Sequence, residues 1–349
     1  MPDLRHRPAV TAPLLSLDAD RLLAELGVTR IPIPVPFPEA GGPANVYAIE
    51  EAGGGVALFD SGIDTPVGES TLREGLAARG LAFGDVRRIF LSHGHVDHYG
   101  LARAVSEASG APVHVHEADR LKVERPADWS RAARDAWQEY ARRLGATAAE
   151  VAAMEHSYEQ TIAYARPVEH TQPLVPGQRL TFARFSAEVL HAPGHTPGLV
   201  CLSAPEHRLL FSDDHLLEKV SPNPILDIGP EGEDAKFRAL PTYLTTLRTT
   251  RDLDIELVLP GHDAPFTGHV QVIDTLLLFY EKRQQKLLTR LGEGAAGAVA
   301  LTRFLFPRIG DALLFLALSE TVGNLELLED RGLVVRRTFD GFHQWELFR

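Results

Sequence analysis

The segment Ser92-His93-Gly94-His95-Val96-Asp97-His98 places three imidazoles and a carboxylate within six residues. All four are groups that ligate divalent cations, and imidazoles packed so densely cannot all hold protons at once. A bound cation is the physical reason to collect them. Such an ion polarises a carbonyl or phosphoryl oxygen and lowers the pKa of water, which is hydrolytic chemistry. The chain has one cysteine, Cys201, read as a buried strand residue. With no thiolate offered, histidine and aspartate suit zinc, with iron or manganese as alternatives. His114 and His116 stand two apart on an expected strand and so face one side, as a solvated or edge pair.

The 349 residues carry 35 basic and 47 acidic side chains, a net charge of −12, and are 44% hydrophobic. A chain this acidic has no overall attraction for phosphate backbones or anionic lipid. The longest apolar stretch, 312–318, is far shorter than the ~20 residues of a membrane span, so no membrane partner is expected. Residues 1–12 contain Asp3, Arg5 and Arg7 and no apolar run, so a cytoplasmic location without a secretory signal is expected.

The elements that must position the histidine cluster alternate in type. Residues 31–35, 44–49 and 56–59 read as strands, and 66–79 as a helix with Thr65 as its cap, Pro66 at its first position and Gly80 as its stop. A buried strand at 86–91 runs into the cluster, followed by a helix at 101–109 and a strand at 112–116. This is α/β layering, in which sites collect where strands end. Residues 117–164 read as a helical insertion too short to bury its own core. Its Trp129, Trp137 and Tyr140 suit either a cap over an apolar substrate or core packing. β-patterning resumes at 179–191, 199–203, 208–211 and 256–259, with a helix in which Phe237, Leu240, Leu244 and Leu247 keep spacings of three and four and Pro241 implies a kink or a late start.

Residues 267–290 read as one long helix, and 292–297 as a flexible glycine-rich joint. Short helices at 302–306 and 311–318, a helix at 319–330 and a hairpin across Asp340-Gly341 follow, a pattern that looks like a small winged helix-turn-helix. The expected organisation is a catalytic domain over 1–290 and a small C-terminal domain over 291–349. Residues 319–330 carry Glu320, Glu326, Glu329 and Asp330 and no base, so a phosphate backbone would repel that helix and no DNA partner is expected. Its apolar stripe is expected to dock on the catalytic domain or on a second subunit, as in a homodimer.

The chain resembles the metallo-β-lactamase-fold hydrolase superfamily over roughly residues 31–280. Besides the His93–His98 signature, four motifs follow the family order: Asp60 in Phe-Asp-Ser-Gly, His195 in Ala-Pro-Gly-His-Thr-Pro-Gly, Asp214 in Phe-Ser-Asp-Asp, and His262 in Pro-Gly-His-Asp. The resemblance implies an αββα four-layer sandwich with a dinuclear site at the rim of two facing sheets. It implies that His93, His95 and His195 hold one ion, that Asp97, His98 and His262 hold the other, and that Asp214 bridges them. Asp60 would fix a ligand's orientation, and Asp97 would steer an attacking bridging hydroxide and shuttle its proton. The family usually has glycine where this chain has Asp213, so either Asp213 or Asp214 could bridge; the motif register favours Asp214. Flavodiiron relatives have glutamate at the position of His95, which argues against a redox role. Tyr99 and His215 directly follow ligand segments and are read as pocket residues.

The expected cofactors are therefore two divalent ions. The expected reaction is hydrolysis of a thioester, ester or lactone of a small acyl compound, similar to the glyoxalase II-like branch but without its basic C-terminal glutathione-binding segment. A metal-dependent endoribonuclease or phosphodiesterase is the alternative, because some relatives with a winged-helix extension cleave RNA. A non-enzymatic binding module using the tail is a third reading, and the complete ligand set argues against it.

Overall fold

The computed structural model describes residues 16–37 and 40–348; the leader reading at 1–12 falls outside them. Six strands form one sheet in sequence order: β1 Val28–Ile33, β2 Ala44–Glu50, β3 Val56–Phe59, β4 Val86–Phe90, β5 Val113–Val115 and β6 Thr171–Pro173. Pairing is antiparallel from β1 to β3 and parallel from β3 to β6. Five more, β7 Arg179–Thr181, β8 Ser186–His191, β9 Val200–Ala204, β10 Leu209–Asp213 and β11 Leu257–Pro260, form a second sheet in reverse order, antiparallel except for β10 and β11.

Alternation along the strands divides the apolar side chains between layers. On β2, Tyr47 and Ile49 join Phe59, Phe90, Val189, Leu202, Phe211 and Leu259 in the core between the sheets. Val46 and Ala48 face the other way, onto Leu72 and Leu76 of the helix Pro66–Ala77 and Val105 of Ala102–Ser109. The outer face of the second sheet (Cys201, Leu210, Val258) packs on the helices Ala239–Arg251 and His269–Leu291. Helix, sheet, sheet, helix is the four-layer order the family resemblance implied. Thr65 Oγ1 accepts from Gly68 N at 2.9 Å, and Pro66 opens the helix as expected. Pro241 lies in the first turn of its helix, so the late start holds and no kink is needed. Phe237 stays outside that helix, and the helix Ser16–Glu25 was not read from the sequence.

The insertion forms three helices, Glu117–Glu124, Pro126–Arg143 and Ala148–Ile162, the last opened by a Thr147–Glu150 capping box. Its Tyr140, Leu144 and Met154 share a core with Leu301, Leu318, Leu325 and Trp345 of the tail. The helices read at 311–318 and 319–330 are largely one, Leu314–Asp330, preceded by a short 3-10 turn at Asp311–Leu313. Ser319, read as a helix start, instead donates back to Phe315 O at 2.8 Å and accepts from Leu226 N at 3.1 Å. Twelve of the seventeen residues of that helix are buried. Glu320 pairs with Arg283 at 2.9 Å, and Glu326 with Lys236.

The joint at 292–297 is also tied down. Ala296 and Trp345 exchange both backbone hydrogen bonds, at 3.0 and 2.9 Å, which fixes the hairpin β12 Val334–Phe339 and β13 Phe342–Leu347 against the end of the long helix. Among the described residues, no helix is long and apolar enough to cross a membrane.

Candidate metal centre

The motif residues gather at one rim because each follows a strand end. Asp60 follows β3, His93–His98 follow β4, His195 follows β8, Asp213 ends β10 with Asp214 next to it, and His262 follows β11. Asp60, Asp213 and Asp263 have φ of 63°, 47° and 70°. Left-handed backbone at aspartate is tolerable but costs free energy, and it turns each chain sharply off its strand. The conformation at Asp213 is the one glycine adopts most easily, which accounts for the family's usual residue there.

Three donor nitrogens converge from two loops. His95 Nδ1 lies 2.9 Å from His93 Nε2 and 2.9 Å from His195 Nε2. Burial, and then the neighbouring His93 and His195, hold His95 well below the ordinary imidazole range. Burial is also the main cause holding His195 down, to about 4. Both imidazoles are therefore neutral at pH 7, the form that can ligate a cation. Asp97, His98 and His262 form a second group, with Asp97 Oδ2 3.8 Å from His98 Nε2 and 3.6 Å from His262 Nε2.

Asp214 stands between the two groups. Its Oδ2 is 3.3 Å from His195 Nε2 and 3.7 Å from His98 Nε2, and its Oδ1 is 3.5 Å from His262 Nε2. Asp213 occupies the opposite side of the rings. Its Oδ1 lies 3.2 Å from His93 Nδ1 and 3.4 Å from His98 Nδ1, and accepts from Asp214 N at 2.9 Å. The second carboxylate thus backs the imidazoles, while Asp214 faces the ligand groups.

The outer nitrogens of the other rings are likewise occupied. His98 Nδ1 contacts Asp60 Oδ2 at 3.2 Å, His195 Nδ1 donates to Asn223 O at 2.7 Å, and His262 Nδ1 reaches the carbonyls of Gly42 and Pro43 at 3.2 Å. A carbonyl only accepts, so Nδ1 carries the proton and the Nε2 lone pair of His195 points inward. Burial, and next the charge of Asp213, push Asp60 well up. Burial opposes ionisation of Asp213 too, but His98 and the hydrogen bonds from His93, His98 and Asp60 hold it well down. His98 moves well up, because Asp213, Asp97 and Asp214 outweigh its burial.

The donor set fits divalent ions on the structure's own terms. His98 Nε2 and Asp214 Oδ1 are buried without a hydrogen-bond partner, and three imidazole nitrogens converge where at most one proton can sit between each pair. Cations at the two groups would satisfy these atoms together.

Tyr99 lines the adjoining cavity, with its hydroxyl donating to Lys122 O at 3.4 Å. His215 does not. It is fully buried, its Nε2 meets Thr250 Oγ1 at 2.8 Å, and burial pushes it down to about 3, so the pocket reading is corrected to a packing residue. His114 and His116 do not form a pair either. The strand stops at Val115, His114 lies against Phe90, and His116 caps the next helix and stacks on His191 at 4.2 Å.

Sequence reasoning missed two supports. Asp119 is fully buried and accepts from Gly94 N, Thr196 Oγ1 and Gly198 N at 3.0, 2.6 and 3.1 Å, so it ties the His93–His98 loop to the His195 loop. Asn45 Nδ2 donates to Pro260 O and Asp263 O, both at 2.8 Å, and fixes the turn that carries His262. No local motif marks either residue. Within that turn Gly261 is required sterically, since a Cβ there would lie 2.5 Å from Asp214 Oδ1. Gly261→Ala is expected to displace that carboxylate and lower metal affinity by about 10–100-fold. Metal titration with a competing chelator measures it, and unchanged affinity would remove Asp214 from the ligand set.

A family model described as the metallo-beta-lactamase superfamily matches residues 40–262. A Bacillus subtilis (strain 168) protein named as the probable metallo-hydrolase YqjP is 29% identical over 303 residues, covering 86% of this chain and 92% of its own. Among solved structures, the metallo-beta-lactamase family protein TTHA1429 of Thermus thermophilus superposes with a TM-score of 0.77 at 29% identity, over 92% of this chain and 98% of that one. A beta-lactamase domain protein from Burkholderia ambifaria shares the fold at a TM-score of 0.77 and 23% identity, over 92% of each chain.

Proposed function

This chain belongs to the metallo-beta-lactamase superfamily, and from that membership we propose that it is a hydrolase of small acyl esters, thioesters or lactones using two divalent ions, zinc suiting the histidine-rich donor set best. The observation that carries the reading is the position of Asp97, His195, Asp214 and His262 at the edge of a largely apolar cavity, where a neutral acyl group can meet the donor cluster. His93, His95 and His195 would hold one ion and Asp97, His98 and His262 the other, with Asp214 shared.

Such ions, when bound, supply Lewis acidity and make water a nucleophile near neutral pH. The chain's own part is orientation and proton handling. Asn223 O and the carbonyls of Gly42 and Pro43 keep Nδ1–H outward, so His195 and His262 present Nε2 to the cavity. The Asp97 carboxylate borders the cavity and accepts the proton that the attacking water loses. The helix Leu314–Asp330 contributes to this order, because Asn223 donates through Nδ2 to Leu316 O at 2.9 Å while its carbonyl holds His195.

A hydrolysis screen of the zinc-, manganese- and iron-loaded protein against thioesters, lactones and phosphodiesters tests the reading. Acyl substrates are expected to turn over and phosphodiesters are not. Removing the metal with a chelator is expected to end turnover, and adding it back to restore it. Acyl hydrolysis that survives complete metal removal would falsify the reading, and efficient RNA cleavage at low salt would replace it with the nuclease alternative.

A further inference from the structure

The cavity beside the metal centre has a volume of about 340 Å³ and is walled by three parts of the chain. Trp129, Trp137 and Met154 come from the insertion, Ile225 and Ile228 from the segment after β10, and Phe315 from the tail. Trp137 and Phe315 meet edge to face at 5.2 Å, so insertion and tail close on one another over the cavity. Neither segment is needed to build the two sheets, yet together they make this wall.

The charges that reach the cavity are already answered within the protein. Lys122 pairs with Asp227 and lies 3.8 Å from Asp119. Arg134 pairs with Glu159 at 2.7 Å, and Glu155 accepts from Gln138 at 2.9 Å. Lys122 and Arg134 against Asp227, Glu155 and Glu159 leave an excess of one negative charge, and the centre's own Asp97 and Asp214 stand at the far end. Along the wall away from the ions that Asp97 and Asp214 would hold, a phosphate or carboxylate would find no unpaired cation, whereas an alkyl or aryl chain would exchange water for apolar wall.

We propose that this cavity holds the uncharged, apolar acyl chain of the substrate, of medium length, and that Trp129, Trp137 and Phe315 set the acyl-length preference. The inference rests on the hydrolase reading above and narrows its substrate class. The size agrees, since the volume lies near the lower end of ligand pockets, roughly 300–1,000 Å³. That is room for a chain of several carbons and too little for a long-chain lipid.

Two measurements on the full chain test this. The first is kcat/KM of the metal-loaded protein for p-nitrophenyl esters from acetate to dodecanoate. The expected profile rises about two- to fourfold per added methylene and falls once the cavity is full. Trp137→Ala should move the maximum to longer chains, and Ala133→Phe, which fills the cavity wall, to shorter ones. The second measurement needs no turnover: octanoamide binding to the metal-free protein, followed by tryptophan fluorescence. Trp129 and Trp137 line the cavity, and Trp345 is the third and last tryptophan. Saturable binding whose signal disappears in the Trp129→Phe/Trp137→Phe double variant supports the proposal. No octanoamide binding, or a flat length profile in an active enzyme, overturns it. Binding with no hydrolysis of any ester, thioester or lactone keeps the apolar pocket and overturns the hydrolase reading instead, so the two failures are distinguishable.

Discussion

His195→Ala is expected to abolish turnover while leaving the fold intact. The imidazole supplies one of the two nitrogens that lie 2.9 Å from His95 Nδ1, and it is also 3.3 Å from the Asp214 carboxylate. In the proposed centre, losing it would remove a ligand from one ion and a contact from the shared carboxylate. If the affected Lewis acid contributes several kcal/mol to the transition state, kcat falls by about 10²–10⁴-fold, since each 1.36 kcal/mol is tenfold. Metal content should fall with it, and elemental analysis after dialysis gives the stoichiometry.

Stability should respond in the other direction. Burial holds His195 near a pKa of about 4, below its ordinary 6.5, so the folded protein resists its protonation. Above about pH 6.5 this costs nothing; as pH falls from there toward 4 the unfolded chain takes up the proton first, and stability is lost. The full penalty is on the order of 3 kcal/mol. The metal-free variant should therefore lose less Tm than the metal-free parent between pH 7 and pH 4.5. A variant with normal metal content and normal turnover would remove His195 from the centre.

The His93–His98 cluster was legible as a candidate metal site from its own chemistry, and the more distant candidates Asp60, His195, Asp214 and His262 were legible only through the family resemblance of their short motifs at strand ends. The α/β alternation was legible because strands and helices carry different apolar periods, whereas the four-layer order came from the family resemblance, and the sorting of β2 side chains between two cores is visible only in the fold. What could not be read depends on contacts far apart in sequence. Whether Asp213 or Asp214 faces the ions turns on a left-handed φ at Asp213, which composition does not encode. The separate helix read from Ser319 is not seen; within the continuous helix Ser319 Oγ donates to Phe315 O and accepts from Leu226 N, a partner 93 residues away. His215 sits beside a ligand segment and still points away from the cavity, since direction after a strand end is set by the turn and not by adjacency. The acidic residues of 319–330 counted as a repelling face, yet two of them are buried partners of Arg283 and Lys236.

Asp119 is the sharpest case of a residue hidden in this way, and its replacement is expected to have the second large effect. In sequence it is one acid in a polar helical insertion. In the fold its carboxylate accepts from Gly94 N and Gly198 N, on the two loops that carry His93, His95 and His195, and from Thr196 Oγ1. The approach is close enough that a Cβ on Gly198 would lie 2.7 Å from its Cγ. Burial works against its charge, but Lys122, Thr196, His93 and Gly94 together hold its pKa below the usual carboxylate value. Its contribution is thus present above about pH 4 and is lost as pH falls through the depressed pKa. Asp119→Ala leaves three donors and the Lys122 ammonium without this partner in a buried site. Removing one member of a buried charged network costs about 3–5 kcal/mol. Asp119→Asn keeps the shape but turns a donor toward other donors, so it should fall between the alanine variant and the parent. Because the two histidine loops lose their common tie, metal affinity should drop about 10–100-fold even in the milder variant. The decisive comparison is Tm against metal affinity: a residue that only stabilises the insertion would lower Tm and leave metal binding at the parent's value. Loss of both in Asp119→Asn identifies a carboxylate that positions the ligands.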